Sequence, residues 1–360
     1  MHLTFFGSSL VSSYWNGAAT YYRGLLRSLH RLGHEITFCE PDAYGRQQNR
    51  DLTEDPEYAR VIVYRGETER DELVARAFAE SDWVIKCSGV GLWDAELEAA
   101  VAAGAGNGVL TAFLDVDAPA TLGRVAADEA DPFRACIPRY DHVFTYGGGP
   151  PVVAEYARRG ARACTPIYNA LDPDEHRPLE RSGPPRWDLL FMGNRLPDRE
   201  ARVDEFFFRA AALCPDARFA LGGEGWGDRA IPANVEYLGH VPTARHNEVN
   251  AGARLVLNVH RDSMVRNGWS PATRMFEAAG AAACQVTDAW EGIEEFFEPG
   301  TEILVAADAE GVAQLVRETG DEAALRIGAA ARRRAVAEHS YDGRAVLLDS
   351  LLRAPVGSGA

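Results

Sequence analysis

The run Ser270-Pro271-Ala272-Thr273-Arg274, followed by Glu277, carries the clearest chemistry in the chain. Serine is a preferred N-cap, and proline loses nothing at the first helical position, so the pair predicts a helix from Pro271 to about Ala283. The free amides of Ala272 and Thr273 would then point along the positive end of the helix dipole, where a phosphate is stabilised. Arg274 adds a planar cation on the same turn. Glu277 follows Pro271 by six residues, roughly 9 Å along the axis at about 1.5 Å per residue. That offset suits a carboxylate reaching a ribose hydroxyl while the helix end holds a diphosphate. The plain alternative is a Ser-Pro helix start that binds only water.

These residues need strands to hold them. Leu255–Val259 and Cys284–Thr287 are short apolar runs on either side of the expected helix. Asp188–Met192, Arg218–Leu221 and Val235–Leu238 precede them, with a helix from about Asp198 to Leu213. In the first half, Leu3–Phe6, Glu35–Cys39, Val61–Tyr64, Val84–Lys86, Leu110–Leu114 and Val143–Tyr146 read as strands, alternating with helices such as Asp71–Ala79 and Asp94–Ala103. Alternation at this spacing predicts α/β architecture, with two doubly wound parallel sheets whose polar loops share one edge. Asp172–Arg186 holds four prolines and many charges without period, and predicts the linker. The expected domains are residues 1–177 and 187–338, with a terminal helix and a frayed tail over 339–360.

Two further places on that edge carry polar groups. Asn16-Gly17, in the loop after the first strand, brings backbone amides to a ligand or forms a turn. Asp115 and Asp117 follow the fifth strand of this half. Asp117 is a general base or acceptor ligand on one reading, and a turn cap before Ala118-Pro119 on the other.

Composition narrows the partners. A formal charge of −16 over 360 residues argues against nucleic acid, whose phosphates are held by basic surface. Lys86 is the only lysine among the basic residues, a skew expected of a high-GC bacterial genome. The six cysteines show no C-x-x-C and no zinc spacing, as expected of reduced thiols in a cytoplasmic protein. MHLTFFGSS has no charged n-region ahead of a long apolar stretch, and no run approaches 18 apolar residues, so neither a signal peptide nor a membrane span is expected.

The segments SPATRMFEAAG and VTDAWEGIEEFFEPGTEILVA, with FMGNRLPDRE, GGEGWGD and YLGHVP before them, resemble the donor half of the two-domain GT-B glycosyltransferases. The group related to spore maturation protein CgeB is the nearest in kind, and ATYYRGLLRSLHRLGHEITFCEPDAYGR and FLDVDAPATL are similar to its first domain. In the broader family 4 enzymes a Glu-x7-Glu motif occupies this helix; Glu277 matches the second Glu, which contacts ribose, and Trp269 stands where the first would fall. The resemblance implies two Rossmann-like domains facing across a cleft, with the last helix crossing back to the first. It implies a hexosyltransferase-type enzyme taking a nucleoside-diphosphate sugar as co-substrate, with no metal and no other cofactor. Donor contacts would come from Asn194, Arg195, Gly223, Trp226, Val241, Arg261, Ser270, Thr273, Arg274 and Glu277. Arg195 would meet the diphosphate and Trp226 would form a stacking wall. A small molecule, glycan or peptide acceptor would lie on the first domain beside Asn16, Gly17 and Asp117. A nucleotide-sugar epimerase of the same fold, and a non-catalytic nucleotide- or glycan-binding protein, are the alternatives.

Overall fold

The computed structural model describes residues 1–106, 108–180 and 183–354; the expected frayed end over 356–360 lies outside them. The chain divides into two compact units, Met1–Tyr168 with the chain from Tyr341 onward, and Asn169–Ser340. The first contains β1 (His2–Phe6), β2 (Glu35–Pro41), β3 (Arg60–Tyr64), β4 (Trp83–Cys87), β5 (Leu110–Asp115), β6 (His142–Thr145) and β7 (Cys164–Pro166). They form one sheet in the order β3-β2-β1-β4-β5-β6-β7, and every pairing is parallel. The second contains β8 (Trp187–Met192), β9 (Phe219–Gly222), β10 (Val235–Gly239), β11 (Ala253–Asn258), β12 (Cys284–Asp288) and β13 (Leu304–Ala306). Their order is β10-β9-β8-β11-β12-β13, again all parallel. Strand order therefore reverses beside β1 in one sheet and beside β8 in the other, and loops at such points diverge to leave room for a ligand.

Parallel strands must be covered on both faces, and the sequence supplies apolar side chains to both. Leu189, Phe191, Leu255 and Leu257 pack on one face with Phe206, Phe207 and Phe208. Leu190 and Val256 face the other way, onto Val249 and Ala278. The three consecutive phenylalanines all bury because Asp204–Arg209 is π-helical, between the α-helical segments Pro197–Val203 and Ala210–Leu213. The wider turn brings successive side chains closer to one face. The only lysine, Lys86, is fully buried in β4 and paired with Asp94, whose carboxylate also accepts from the amides of Val90 and Gly91. The six cysteines are free, and all but Cys164 are buried. Among the described residues no helix is long and apolar enough to cross a membrane.

The boundaries differ from those the composition suggests. The division falls after Tyr168 and after Ser340, so the described part of the proline-rich stretch 172–186 lies in the second unit. His176 is buried there, and a Cβ at Gly280 would lie 2.7 Å from its own Cβ. Charge and proline reported lack of regular structure; most of the segment is exposed, and Asp172, His176 and Pro185 are the buried ones among its described residues. The helix Tyr341–Arg353 belongs with the first unit. The indole of Trp83 donates to Leu352 O at 3.1 Å, and His34 Nε2 meets Asp349 Oδ1 at 2.7 Å.

A Cβ at Gly24, on the helix Ala19–Arg31, would come within 2.1 Å of the Tyr341 ring. Gly24→Ala is therefore expected to lower unfolding free energy by about 1–3 kcal/mol through overpacking, despite the better helix propensity of alanine. Urea denaturation checks this, and an unchanged midpoint would remove the terminal helix from that seat.

Candidate functional site

The carboxyl ends of β8, β9, β11 and β12 supply the groups of the site in the second unit. The loops after β8 and β9 meet backbone to backbone: a Cβ at Gly223, whose φ is +125°, would lie 2.3 Å from Gly193 O. Only glycine allows that approach. Asn194 Oδ1 accepts from Glu224 N at 3.0 Å, and Arg195 N donates to Glu224 O at 2.8 Å, so Asn194 and Gly223 are brought together.

Trp226 and Arg195 are placed otherwise than the resemblance implied. Trp226 is fully buried against Phe208, with its indole N–H donating to Gly193 O at 2.8 Å. It supports the β8 loop through that bond and, fully buried, has no face on which a base could stack. The guanidinium of Arg195 is taken by Glu200 and by Asp228 at 2.9 Å.

A buried cation also stands at this edge, Arg199, which the sequence did not single out. It lies on Pro197–Val203 and is only 4% exposed. Its Nη2 donates to Asn194 O, and among the described residues its Nε–H has no hydrogen-bond partner and no carboxylate forms an ion pair with it. Burial, then the nearby charge of Arg274, disfavours its cation; Asp198 acts the other way, and Arg261 again disfavours it. Arg274 Nη1 donates to Asn258 Oδ1 at 3.1 Å and Val259 O at 3.3 Å. Arg261 pairs with Asp198. Three guanidiniums from three elements thus converge, and a carboxylate is bonded directly to one of them.

The helix bearing Arg274 starts later than expected. It spans Thr273–Gly280 with Ala272, in extended conformation, at the cap. Ser270 is not the cap; its hydroxyl donates to Gly268 O at 2.8 Å. Pro271 disfavours helical geometry at the preceding residue, and its own carbonyl accepts from Asn169 Nδ2 at 3.2 Å. Thr273 Oγ1 bonds Asn169 Oδ1 at 3.0 Å. The outward amides accordingly begin at Thr273.

Glu277 and Arg274 do not pair. The Glu277 carboxylate lies 3.4 Å from His246 Nδ1 and 3.9 Å from His176 Nε2. The two imidazoles stack at 6.2 Å, and His246 Nε2 contacts Val241 O at 3.2 Å, which occupies that carbonyl. Burial raises the Glu277 carboxyl, but His246, His176 and Arg274 together outweigh it and hold it at about 2. Burial lowers His246, and Glu277 outweighs that, leaving it above its ordinary value. Beside these, Asp288 at the end of β12 is fully buried. It meets His260 Nδ1 at 2.8 Å and Arg202 Nη2 at 2.5 Å. Burial again acts to raise it, and His260 and Arg202 hold it at about 2. Among the described residues no three His, Cys, Asp or Glu gather as a metal-ligand set.

In the first unit the two aspartates separate. Asp115 is buried and accepts from Ser88 Oγ, Thr121 Oγ1, Asp117 N and Tyr156 OH. Burial pushes its carboxyl up against these donors. Asp117 is half-buried at the N-cap position of Ala118–Ala127; its carbonyl accepts from Ala120 N and Thr121 N, and its side chain makes no cap bond. Asn16 is spent within its loop, accepting from Ser8 Oγ and donating to Ser9 O and Ser12 O. Gly17 is exposed beside it.

The Glu277 pairing makes stability depend on pH in a definite direction. Its depressed carboxyl contributes above the unfolded value near 4.3 and is lost as pH falls toward 2. The raised His246 contributes below about 6.5 and is lost as pH rises through its folded value. The stability gap between the wild type and Glu277→Gln should therefore be widest between roughly pH 4.5 and 6.5, on the order of 1–3 kcal/mol. Thermal midpoints across pH 3–9 test this, and a flat difference would mean the histidines do not hold the carboxylate.

Comparison with known proteins agrees with this architecture. Residues 199–350 match the family described as Glycosyl transferase-like. No curated protein sequence matches the chain. Among solved structures, HepE of Anabaena in complex with UDP and glucose is 12% identical, with a TM-score of 0.67 over 98% of this chain and 99% of that one. Sucrose-phosphate synthase of Thermosynechococcus elongatus is 13% identical, with a TM-score of 0.68 over 98% of both chains. The T4 phage glucosyltransferase BGT in complex with UDP-glucose is 12% identical, with a TM-score of 0.62 over 98% of this chain and all of that one. With two doubly wound parallel units and this likeness along its length, the chain has the GT-B glycosyltransferase fold.

Proposed function

We propose that the protein is a glycosyltransferase of hexosyl type. It takes its sugar from a nucleoside diphosphate held on the second unit and passes it, without a divalent ion, to an acceptor held on the first. The observation that carries this reading is Arg199, a buried guanidinium bonded to one carbonyl and crowded by two like charges. Burying an unpaired cation is costly, and a diphosphate would supply the missing negative charge. HepE and the T4 enzyme are solved with UDP or UDP-glucose, which makes UDP the first nucleotide to try.

In this reading Arg199, Arg261 and Arg274, with the amides at Thr273, stabilise the charge that develops on the departing diphosphate. Such groups act best when already fixed in a poorly solvated corner. Glu277, kept ionised by the neighbouring His246 and His176, accepts from a ribose hydroxyl. Asp117 is the group on the first unit to take the acceptor proton, since Asp115 is enclosed by four donors.

UDP should raise the thermal midpoint with EDTA present, by about 2.7 kcal/mol of stabilisation at a hundredfold excess over Kd. Arg199→Met should weaken UDP at least tenfold while leaving the free protein as stable or more so, because an unanswered charge is removed. Equal UDP affinity in wild type and variant would detach the cation cluster from the donor. Asp117→Asn should slow transfer by about 10²–10⁴-fold with UDP affinity unchanged. An unaltered rate in product assays would leave Asp117 only its place at the helix start.

A further inference from the structure

The first unit has a buried cation that the donor reading does not use. Arg46 lies after β2 and is 7% exposed. Its Nη1 donates to Ser8 O and to Val90 O, each at 3.1 Å. One guanidinium thus spans the loops that follow β1 and β4, the neighbouring strands beside which the order of this sheet reverses. Its Nε–H has no partner. The two carboxylates whose charge reaches it, Glu40 and Asp94, are both engaged by other donors. Glu40 accepts from Ser9 Oγ, Leu10 N and Gln47 Nε2, and Asp94 from Lys86, Val90 N and Gly91 N. The hydrogen bonds of Arg46 thus go to carbonyls and not to a carboxylate, at the edge where open α/β sheets bind ligands.

A fixed aromatic ring stands beside it. Tyr44 has φ +56°, an uncommon conformation for a residue with a side chain, and is 59% exposed. Its hydroxyl donates to Gly91 O, and its ring centre is 5.2 Å from the Arg46 guanidinium carbon. A Cβ at Gly91 would lie 2.9 Å from the ring, so the tyrosine rests directly on the backbone of the β4 loop. A guanidinium matches a carboxylate or phosphate with paired donors, and an aromatic face takes the apolar C–H side of a sugar ring.

We propose that this site takes an anionic sugar, one bearing a carboxylate or a phosphate, with Arg46 on the anion and Tyr44 against the ring. The proposal deepens the acceptor role given to the first unit and rests on it. The competing account is that Arg46 only ties two loops together, in which case charge on a ligand is irrelevant.

The test is calorimetric titration of the full chain with glucose 6-phosphate, glucuronate, glucose and inorganic phosphate, with UDP titrated in parallel. At least one charged sugar should bind ten times more tightly than glucose and than inorganic phosphate. Arg46→Gln should abolish that preference and Arg46→Lys should restore part of it. Tyr44→Ala, an exposed substitution that leaves the core intact, should weaken the charged sugar tenfold and leave inorganic phosphate unaffected. UDP affinity should be the same in all of them. The proposal is overturned if wild type binds no charged sugar better than glucose, if inorganic phosphate binds as tightly as the charged sugars, or if Arg46→Gln keeps the preference. Should Arg46→Gln not fold, unchanged charged-sugar affinity in both Arg46→Lys and Tyr44→Ala overturns it equally. UDP binding without charged-sugar binding sinks this inference alone, whereas charged-sugar binding without UDP binding sinks the donor assignment and leaves this site standing.

Discussion

A guanidinium removed from water must be answered by negative charge or by several oxygens, and Arg199 has one hydrogen bond, to the carbonyl of Asn194, with the Phe191 ring 5.6 Å away and the charge of Asp198 in partial compensation. Much of the second unit can be read from that imbalance. The preceding residue of the β8 loop, Gly193, is fixed by the close approach of Gly223 and by the Trp226 indole on its carbonyl. Arg274 is kept near by Asn258 and Val259 at the end of β11, and Arg261 by Asp198. Holding like charges together in a poorly solvated corner is unfavourable, and the fold tolerates it because each is fixed by oxygen atoms of the surrounding backbone and side chains. Carboxylates are present nearby, but Asp288 is committed to His260 and Arg202, and Glu277 to His246 and His176.

The first unit reaches a similar arrangement with different residues. Arg46 is held by Ser8 and Val90 carbonyls, while Glu40 and Asp94 are saturated by other donors. In both sheets the parallel strands deliver their loops to one edge, where amides and carbonyls no longer serve the ladder and are free to fix side chains. The chemistry of each unit is therefore concentrated where the strand order reverses.

The sheets were largely legible because buried parallel strands are short, mainly apolar runs, and Val84–Lys86 and Arg218–Leu221 read as strands without knowledge of their partners, close to the observed Trp83–Cys87 and Phe219–Gly222. The short strands β7 and β13, three residues each, were not read from the sequence, nor were four further features. Asp172–Arg186 looked like a tether because proline and charge report the absence of regular structure, whereas the burial of His176 depends on a helix a hundred residues away. Ser270-Pro271 matched a helix start, yet Asn169 holds the Pro271 carbonyl and the helix begins at Thr273. Arg195 and Arg199 are the same residue type four positions apart, and only the path of the chain decides which meets Glu200 and Asp228 and which is enclosed. Asp115 and Asp117 differ likewise by the donors that Ser88, Thr121 and Tyr156 bring to one of them.

The terminal helix has a consequence for how the molecule is made. The second unit is one uninterrupted stretch, whereas the first is assembled from both ends of the chain. Synthesis proceeds from the N-terminus, and domains generally fold as units when their residues become available. Here an earlier segment must wait for a later one, since Gly24, His34 and Trp83 all face the helix Tyr341–Arg353. The later-synthesised unit can therefore close before the earlier one is complete. Until the helix Tyr341–Arg353 has been made, the apolar seat around Gly24 stays uncovered, a period in which the nascent chain is exposed to chaperones and to misassociation.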